Sequence, residues 1–144
     1  MGAGAKMGGV EHPWRSEEHR QITSLVHLIF MQEFSQKLIE ARRKAGFSQA
    51  DCAYLLGVSQ AHVSRLERGR TVPSVSDLCG VAILFGRTME LLVEPIFKDR
   101  ALSIRQRLFE LPEPHTGWLG RFVRNNALRN LEERVERIIG HYEC

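Results

Sequence analysis

The sequence lacks the features that mark membrane-spanning, metal-binding and disulfide-bonded proteins. No apolar run approaches the roughly 18 residues that a spanning helix needs, since the best run, Leu25 to Met31, contains His27. Cys52, Cys79 and Cys144 are odd in number and far apart, which argues against a zinc finger and against a disulfide framework. We therefore expect free thiols and a cytoplasmic protein without membrane contact.

Catalytic and cofactor signatures are also missing. The six histidines show no metal-ligand spacing, and there is no nucleophile elbow or phosphate-binding loop. Gly2, Gly4 and Gly8 approach a dinucleotide-loop spacing, but no strand precedes them. The N-terminus has no apolar segment typical of a secretory signal. We expect no enzymatic activity, no cofactor and no metal.

The composition is that of an ordinary folded protein. The 144 residues are 43% hydrophobic and 26% charged, as in typical globular domains. A formal net charge of +3 permits an acidic partner such as a nucleic acid but does not require one. Residues 1–15 are Gly-rich and aperiodic, so we expect a flexible lead before the folded part.

Apolar residues at helical spacing predict an all-α fold. Ser16 is expected to cap an N-terminal helix over residues 16–32. That helix is apolar on most sides, so it packs either in the chain's own core or against a second chain. Another helix is expected from Glu33 to Lys44.

Three short helices are predicted by their end signals. Ser48, Ser59 and Ser74 are good N-caps, and glycines follow each predicted helix as C-terminal caps. Cys79 is expected to be a small core residue in the third of these helices. Residues 88–94 alternate between apolar and polar except at Leu92, so they predict either a short strand or a short helix.

Residues 96–144 are expected to form a helical C-terminal extension for dimerisation or partner binding. Its two apolar faces are separated by prolines, and a bend is expected at Asn125 and Asn126. Trp118, like Trp14, is expected to be a packing anchor. The basic residues of this region predict either a contact with nucleic acid, additional to any elsewhere in the chain, or a solvated face; they are Arg121, Arg124 and Arg129.

Residues 49–66 have the spacing of a helix-turn-helix. Ala53 is small enough for two helices to cross closely, and Gly57 permits a positive φ in the turn. Because Val63 and Leu66 point inward, one face of the second helix is left exposed. That face and its N-terminal edge carry Gln60, Ala61, Ser64, Arg65 and Arg68. In the major groove Arg can bind guanine bidentately and Gln can bind adenine.

The run from Ser48 to Arg70, continued by Pro73, Ser74 and Leu78, resembles the DNA-binding core of Cro/CI-type regulators of the XRE family. The resemblance covers about residues 34–92. It implies a five-helix, lambda-repressor-like core, which we place at residues 33–94.

The resemblance also implies roles by position. Gln49 corresponds to a phosphate-binding residue, and Arg42 and Glu67 to an internal ion pair. The remaining candidate DNA contacts are Ser59, Gln60, Ala61, His62, Ser64, Arg65, Arg68 and Arg70. Among these, Gln60, Ala61 and Arg65 correspond to base-reading positions and Arg70 to a backbone contact. Ser64 is a weaker candidate, and His62 has simple packing or solvent exposure as its alternative.

Together these features predict a bacterial or phage-encoded regulator that binds double-stranded DNA sequence-specifically. The expected form is a repressor of its own operon that acts as a homodimer on a two-fold operator. One alternative is an antitoxin that also masks a toxin, which a strand at residues 88–94 would favour. Others are a phage immunity or excision regulator and an adaptor that has lost DNA binding.

Overall fold

The computed structural model describes residues 17–114 and 117–143. Within these ranges the helices are α1 (Glu17–Ala45), α2 (Gln49–Leu56), α3 (Gln60–Glu67), α4 (Val75–Phe85), α5 (Met89–Leu92), α6 (Glu94–Glu110) and α7 (Arg121–Glu143). The described ranges contain no strand, so the all-α prediction is confirmed. Four predictions lie outside the described residues. They concern the flexible lead at residues 1–15, the packing of Trp14, the cap at Ser16 and the free thiol of Cys144.

The first helix, α1, is continuous, so the predicted division after residue 32 is wrong. The segment from Glu17 to Ala45 contains neither Gly nor Pro, and no other signal interrupts the helical hydrogen bonds. Phe30, Phe34 and Leu38 form one buried row at the four-residue spacing of a single helix face. The helix therefore runs from the N-terminal extension into the core without a break.

Upstream of that row, α1 exposes apolar side chains. The four residues concerned are between 47% and 63% exposed; they are Ile22, Leu25, Leu28 and Ile29. The chain's own core therefore buries only the end of the predicted segment 16–32, at Phe30, and leaves these four side chains largely uncovered. The burial of this segment against a second chain stays a prediction.

The main core lies where α1, α3, α4 and α5 meet. The buried row of α1 packs there against Leu66 of α3, Leu78 and Val81 of α4, and Leu92 of α5. Lys37 of α1 reinforces this contact by donating a hydrogen bond to the Leu91 carbonyl oxygen at 2.7 Å. One core thus fixes the long helix relative to the short helices that follow it.

Local capping sets the ends of α2 and α4. In each case a serine hydroxyl accepts a hydrogen bond from the backbone three residues on, and the aspartate there accepts one in return. The pairs are Ser48 with Asp51 and Ser74 with Asp77. Cys79 of α4 is exposed, so its expected core position is wrong. Since Leu78 and Val81 point inward, residue 79, about 100° from Leu78, points outward.

Residues 88–94 contain the short helix α5, so the strand alternative is wrong. The Thr88 hydroxyl accepts a hydrogen bond from the Leu91 amide at 3.2 Å, which caps the helix. Leu92, the residue that breaks the alternating pattern, is only 2% exposed and packs in the main core. A helical turn brings Leu92 inward, and this core contact decides the local structure.

Helices α6 and α7 form an antiparallel hairpin, which we call the arm. Ala101 of α6 packs against Val135 and Ile139 of α7. The arm is joined to the core near the end of α7, where the Tyr142 hydroxyl donates a hydrogen bond to Glu90 Oε1 at 3.2 Å. Burial, together with this bond, raises the pKa of Tyr142.

The predicted bend in α7 is absent. The helix passes through Asn125 and Asn126 without interruption. Both side chains are exposed, so neither competes for a backbone group inside the fold. Helix α7 therefore continues without a break from Arg121 to Glu143.

Candidate nucleic-acid interface

The turn between α2 and α3 has the geometry of a helix-turn-helix. Gly57 ends α2 with φ 70° and ψ 31°, a left-handed conformation that costs glycine little and other residues more. Ser59 then begins α3, because its hydroxyl accepts a hydrogen bond from the His62 amide at 3.1 Å. These local features fix where α3 starts and how it leaves the turn.

Buried side chains hold α2 and α3 at their crossing. Cys52 and Ala53 of α2 pack on Val63 of α3, with Val58 of the turn and Phe85 of α4 around them. Ala53 lets the two helices approach, as its small size predicts. Burial raises the pKa of the Cys52 thiol, so this cysteine is a packing residue. Helix α3 is thus fixed on its inner side only.

The outer side of α3 is accessible to a partner. Four of the five predicted face residues are exposed, while Ser64 is half-buried; the exposed ones are Gln60, Ala61, Arg65 and Arg68. Arg70 follows Gly69, whose φ is 66°, and is also exposed. Polar side chains and a small Ala61 leave this surface without bulky apolar groups, which suits the edges of base pairs.

A charged network beneath α3 joins three helices. Arg42 of α1 donates from Nε to Glu67 Oε1 and from Nη2 to Glu67 Oε2, the latter at 3.4 Å. Its Nη1 also donates to the Phe47 carbonyl oxygen at 2.9 Å. The hydrogen bond with Glu67 raises the pKa of Arg42. This ion pair occupies the positions that the resemblance implied, and it anchors the C-terminal end of α3 on α1.

Gln49 belongs to the same network. Its Nε2 donates a hydrogen bond to Glu67 Oε2 at 2.5 Å, and its side chain is half-buried. The sequence assigned Gln49 to a DNA phosphate and did not anticipate this contact, because its partner is far away in the chain. One N–H of the amide is thus held by Glu67, and a phosphate contact remains a prediction for the second N–H of Nε2 and for the backbone N–H, since only donors can bind a phosphate oxygen.

His62 connects the motif to α4. Its Nε2 lies 2.9 Å from Asp77 Oδ1. Burial alone would raise the pKa of Asp77, but hydrogen bonds from Ser74 and His62 outweigh it and lower that pKa. This contact gives His62 a structural role, closer to the packing alternative than to the phosphate contact. Sequence reasoning missed Asp77, although its position three residues after Ser74 is a capping-box signal.

The family comparison agrees with this geometry. Residues 33–94 match a family model described as a helix-turn-helix domain. This segment is a helix-turn-helix domain. No curated protein and no solved structure matches the chain. The matched range begins inside α1 and ends at the first residue of α6, so the arm and the N-terminal half of α1 lie outside it.

Ser35 is a further residue of the helix-turn-helix domain that the sequence did not reveal. Its hydroxyl oxygen lies 2.7 Å from the carbonyl oxygens of both Met31 and Leu66. A Cβ added to Gly69 would lie 3.4 Å from the same hydroxyl. Ser35 of α1 therefore holds the end of α3 through its hydrogen bond to Leu66. No local sequence pattern around Ser35 predicts this contact.

The other predicted sites lie on the arm, away from the domain. Trp118 is 51% exposed, so it is not a buried anchor. Arg124 Nη2 donates to the Pro112 carbonyl oxygen at 2.9 Å, which gives it a structural contact, while Arg121 and Arg129 are exposed. Within the described ranges, no group of three or more His, Cys, Asp or Glu side chains is placed to hold a metal ion. No helix in those ranges is long and apolar enough to cross a membrane.

Proposed function

We propose that this protein is a sequence-specific regulator of transcription that binds double-stranded DNA through α3. The observation that carries the proposal is the exposed polar face of α3 on a rigidly held helix-turn-helix. In such domains the second helix enters the major groove with its N-terminal residues at the base edges. Gln60 lies at the first turn of α3 and Arg65 one turn later, so both can reach bases.

The finer features of the proposal rest on the resemblance to Cro/CI-type regulators of the XRE family. We place the protein in that group as a cytoplasmic repressor that acts by binding, without catalysis. Two copies occupy the two halves of a two-fold operator, and α3 of each copy reads one half-site. Affinity comes largely from phosphate contacts, and specificity comes from a few base edges.

The antitoxin alternative loses its main support in the structure. It was favoured by a strand at residues 88–94, and that segment is α5. The exposed helices of the arm offer surface for other proteins, but none of their features indicates a toxin. We therefore propose the repressor.

The test is selection of preferred sites from random DNA duplexes, followed by titration of variants on the selected site. Arg65→Ala should lose about 1–3 kcal/mol of binding free energy and relax the preference at one base pair. Arg100→Ala removes the same charge from an exposed position on the arm and is the matched control. It should leave the base preference unchanged.

Two results would contradict the proposal. Failure to enrich any sequence would remove the sequence-specific function. Equal weakening of Arg65→Ala on all sequences, with a reduced salt dependence, would instead make Arg65 a phosphate contact and remove its base-reading role.

A further inference from the structure

The free end of the arm carries an exposed apolar cluster, which we call the tip. It is formed by the end of α6, the start of α7 and described residues of the chain between them. Four of its side chains are between 76% and 98% exposed; they are Phe109, Leu119, Phe122 and Val123. Trp118 and Leu111, on the chain between the helices, are about half exposed. No other position in the described ranges combines two phenylalanines and a leucine at such exposure.

The tip is distant from the helix-turn-helix domain. Helix α7 has 23 residues, which at 1.5 Å per residue makes it about 35 Å long. Its C-terminal end contacts α5 through Tyr142, so the tip projects about 30 Å from that contact. A partner bound at the tip therefore lies away from the contact between the arm and α5.

The size of the cluster fits a protein–protein interface. A covered aromatic side chain buries about 150–250 Å², so the tip offers several hundred Å² of apolar surface. The largest apolar patch on a typical monomer is roughly 300–600 Å² and is often functional. A standard interface buries about 800 Å² on each partner, so the apolar tip would form its centre and the charged neighbours its edge.

The charges around the tip complement each other across a two-fold axis. Glu110 is the last residue of α6, Glu113 lies on the chain just after it, and Arg121 is the first residue of α7; all three are exposed. A two-fold axis normal to the hairpin plane places the α6 end of one copy opposite the α7 start of the other. Carboxylates then face the arginine on both sides of an apolar centre, as isologous interfaces require.

The shape of the tip is also suited to a second copy. A groove of about 420 Å³ lies between the two helices, lined at its apolar end by Leu108, Phe109 and Leu128. The same tip presents Leu119 and Phe122 as projecting side chains. Each copy therefore carries both a groove beside the tip and projecting apolar side chains. The two carboxylates argue against DNA as the occupant, since they would repel phosphates.

We infer that the tip of the arm is the homodimer interface of this protein. This inference rests on the proposed function insofar as a two-fold operator calls for two copies. In the dimer the apolar centres of two tips cover each other, and the charged residues cross-pair at the edge. The arms then hold two helix-turn-helix domains apart with both α3 faces accessible.

The first test is the mass of the full chain without DNA, measured by analytical ultracentrifugation over a range of concentrations. The wild type should have twice the monomer mass of 16.5 kDa. The double variant L119E/F122E should sediment as the monomer with unchanged far-UV circular dichroism, since both side chains are exposed. Ile83→Glu, at an equally exposed apolar position on α4, is the matched control and should remain dimeric.

Three outcomes would overturn the inference. One is a wild type that stays at 16.5 kDa at all concentrations. Another is an L119E/F122E variant that remains dimeric. The third is that Leu25→Glu/Leu28→Glu sediments as a monomer while L119E/F122E stays dimeric, which would assign the interface to α1.

The crossed arrangement of charges has its own test. E110R/E113R should raise the dimer dissociation constant, and adding Arg121→Glu to it should lower that constant again. No recovery in the triple variant would refute the crossed pairing.

DNA binding separates this inference from the proposed function. L119E/F122E should bind a single half-site like the wild type but lose at least tenfold affinity for the full site. If the wild type is dimeric through the tip but enriches no DNA sequence, the proposed function fails and the interface stands. If a selected site depends on Arg65 while the wild type is monomeric, the reverse holds.

Discussion

Glu67 is the residue whose removal should destabilise the helix-turn-helix domain most clearly. It is 8% exposed and accepts hydrogen bonds from Arg42 and Gln49. Glu67→Ala leaves the Arg42 guanidinium without its carboxylate, on a side chain that is only 13% exposed. Breaking a buried ion pair in this way costs about 3–5 kcal/mol. Arg42 keeps its bond to the Phe47 carbonyl oxygen, so we expect a loss of about 3 kcal/mol, the lower end of that range.

The assay is urea unfolding of the full chain followed by far-UV circular dichroism. Glu136→Ala is the matched control, because it breaks the Arg105–Glu136 pair, whose side chains are 37% and 55% exposed. Exposed pairs are worth about 0–1 kcal/mol, so this variant should unfold almost like the wild type. A double-mutant cycle with Arg42→Ala then measures the coupling between Arg42 and Glu67.

The reasoning would be refuted if Glu67→Ala lost less than about 1 kcal/mol, the value typical of exposed pairs. Additive losses in the cycle would show that Arg42 and Glu67 do not depend on each other. Glu67→Gln keeps the side-chain volume and an acceptor for Gln49 but removes the charge. It should fall between the wild type and Glu67→Ala.

Two other perturbations probe the caps of the domain. Gly57→Val should destabilise the fold by more than about 1 kcal/mol, because a residue with a Cβ is strained at the Gly57 φ of 70°. No atom lies within 4 Å of the added Cβ, so the cost comes from the backbone conformation and not from a clash. The control is Gly140→Ala in the helical backbone of α7, which should stabilise the fold by up to about 1 kcal/mol. An unchanged melting temperature for Gly57→Val would refute the strain argument. The lowered pKa of Asp77 means that its ionised form stabilises the fold above the unfolded pKa, and this contribution is lost as the pH falls through the folded pKa. The wild type should therefore be more stable than Asp77→Asn at a pH well above the ordinary aspartate pKa of about 3.9, and the difference in unfolding free energy should shrink well below that pH. A difference independent of pH would contradict this.

Much of the candidate site could be predicted because its determinants are local. The cap at Ser59, the left-handed Gly57 and the inward direction of Val63 follow from neighbours in the chain and from helix geometry. Once those are set, the exposure of Gln60 and Arg65 follows from the 100° step of a helix. What could not be predicted is the support beneath α3, since Ser35 and Asp77 reach it from helices distant in sequence.

Sequence patterns failed where two local structures were nearly equal in free energy. At residues 88–94 the alternation favoured a strand as much as a helix, and the burial of Leu92 decided for α5. In α1 two helices were predicted, over residues 16–32 and from Glu33 to Lys44, but the structure has one helix, and only packing against the core determines which of its faces is buried. Cys79 shows the same limit, because small apolar residues fit a core and a surface equally well.

The sequence by itself determined the all-α class, the ends of α2, α3 and α4, and the helix-turn-helix, because capping and turn geometry are set by residues three or four positions apart. Only the tertiary structure decided that Gln49 binds Glu67, that His62 binds Asp77, and that the apolar residues of the tip face outward. The physical reason is that a side chain on one helix becomes buried only when a second element packs against it. A helix carries its apolar face in its sequence, but the element that covers that face is found only when the chain is folded.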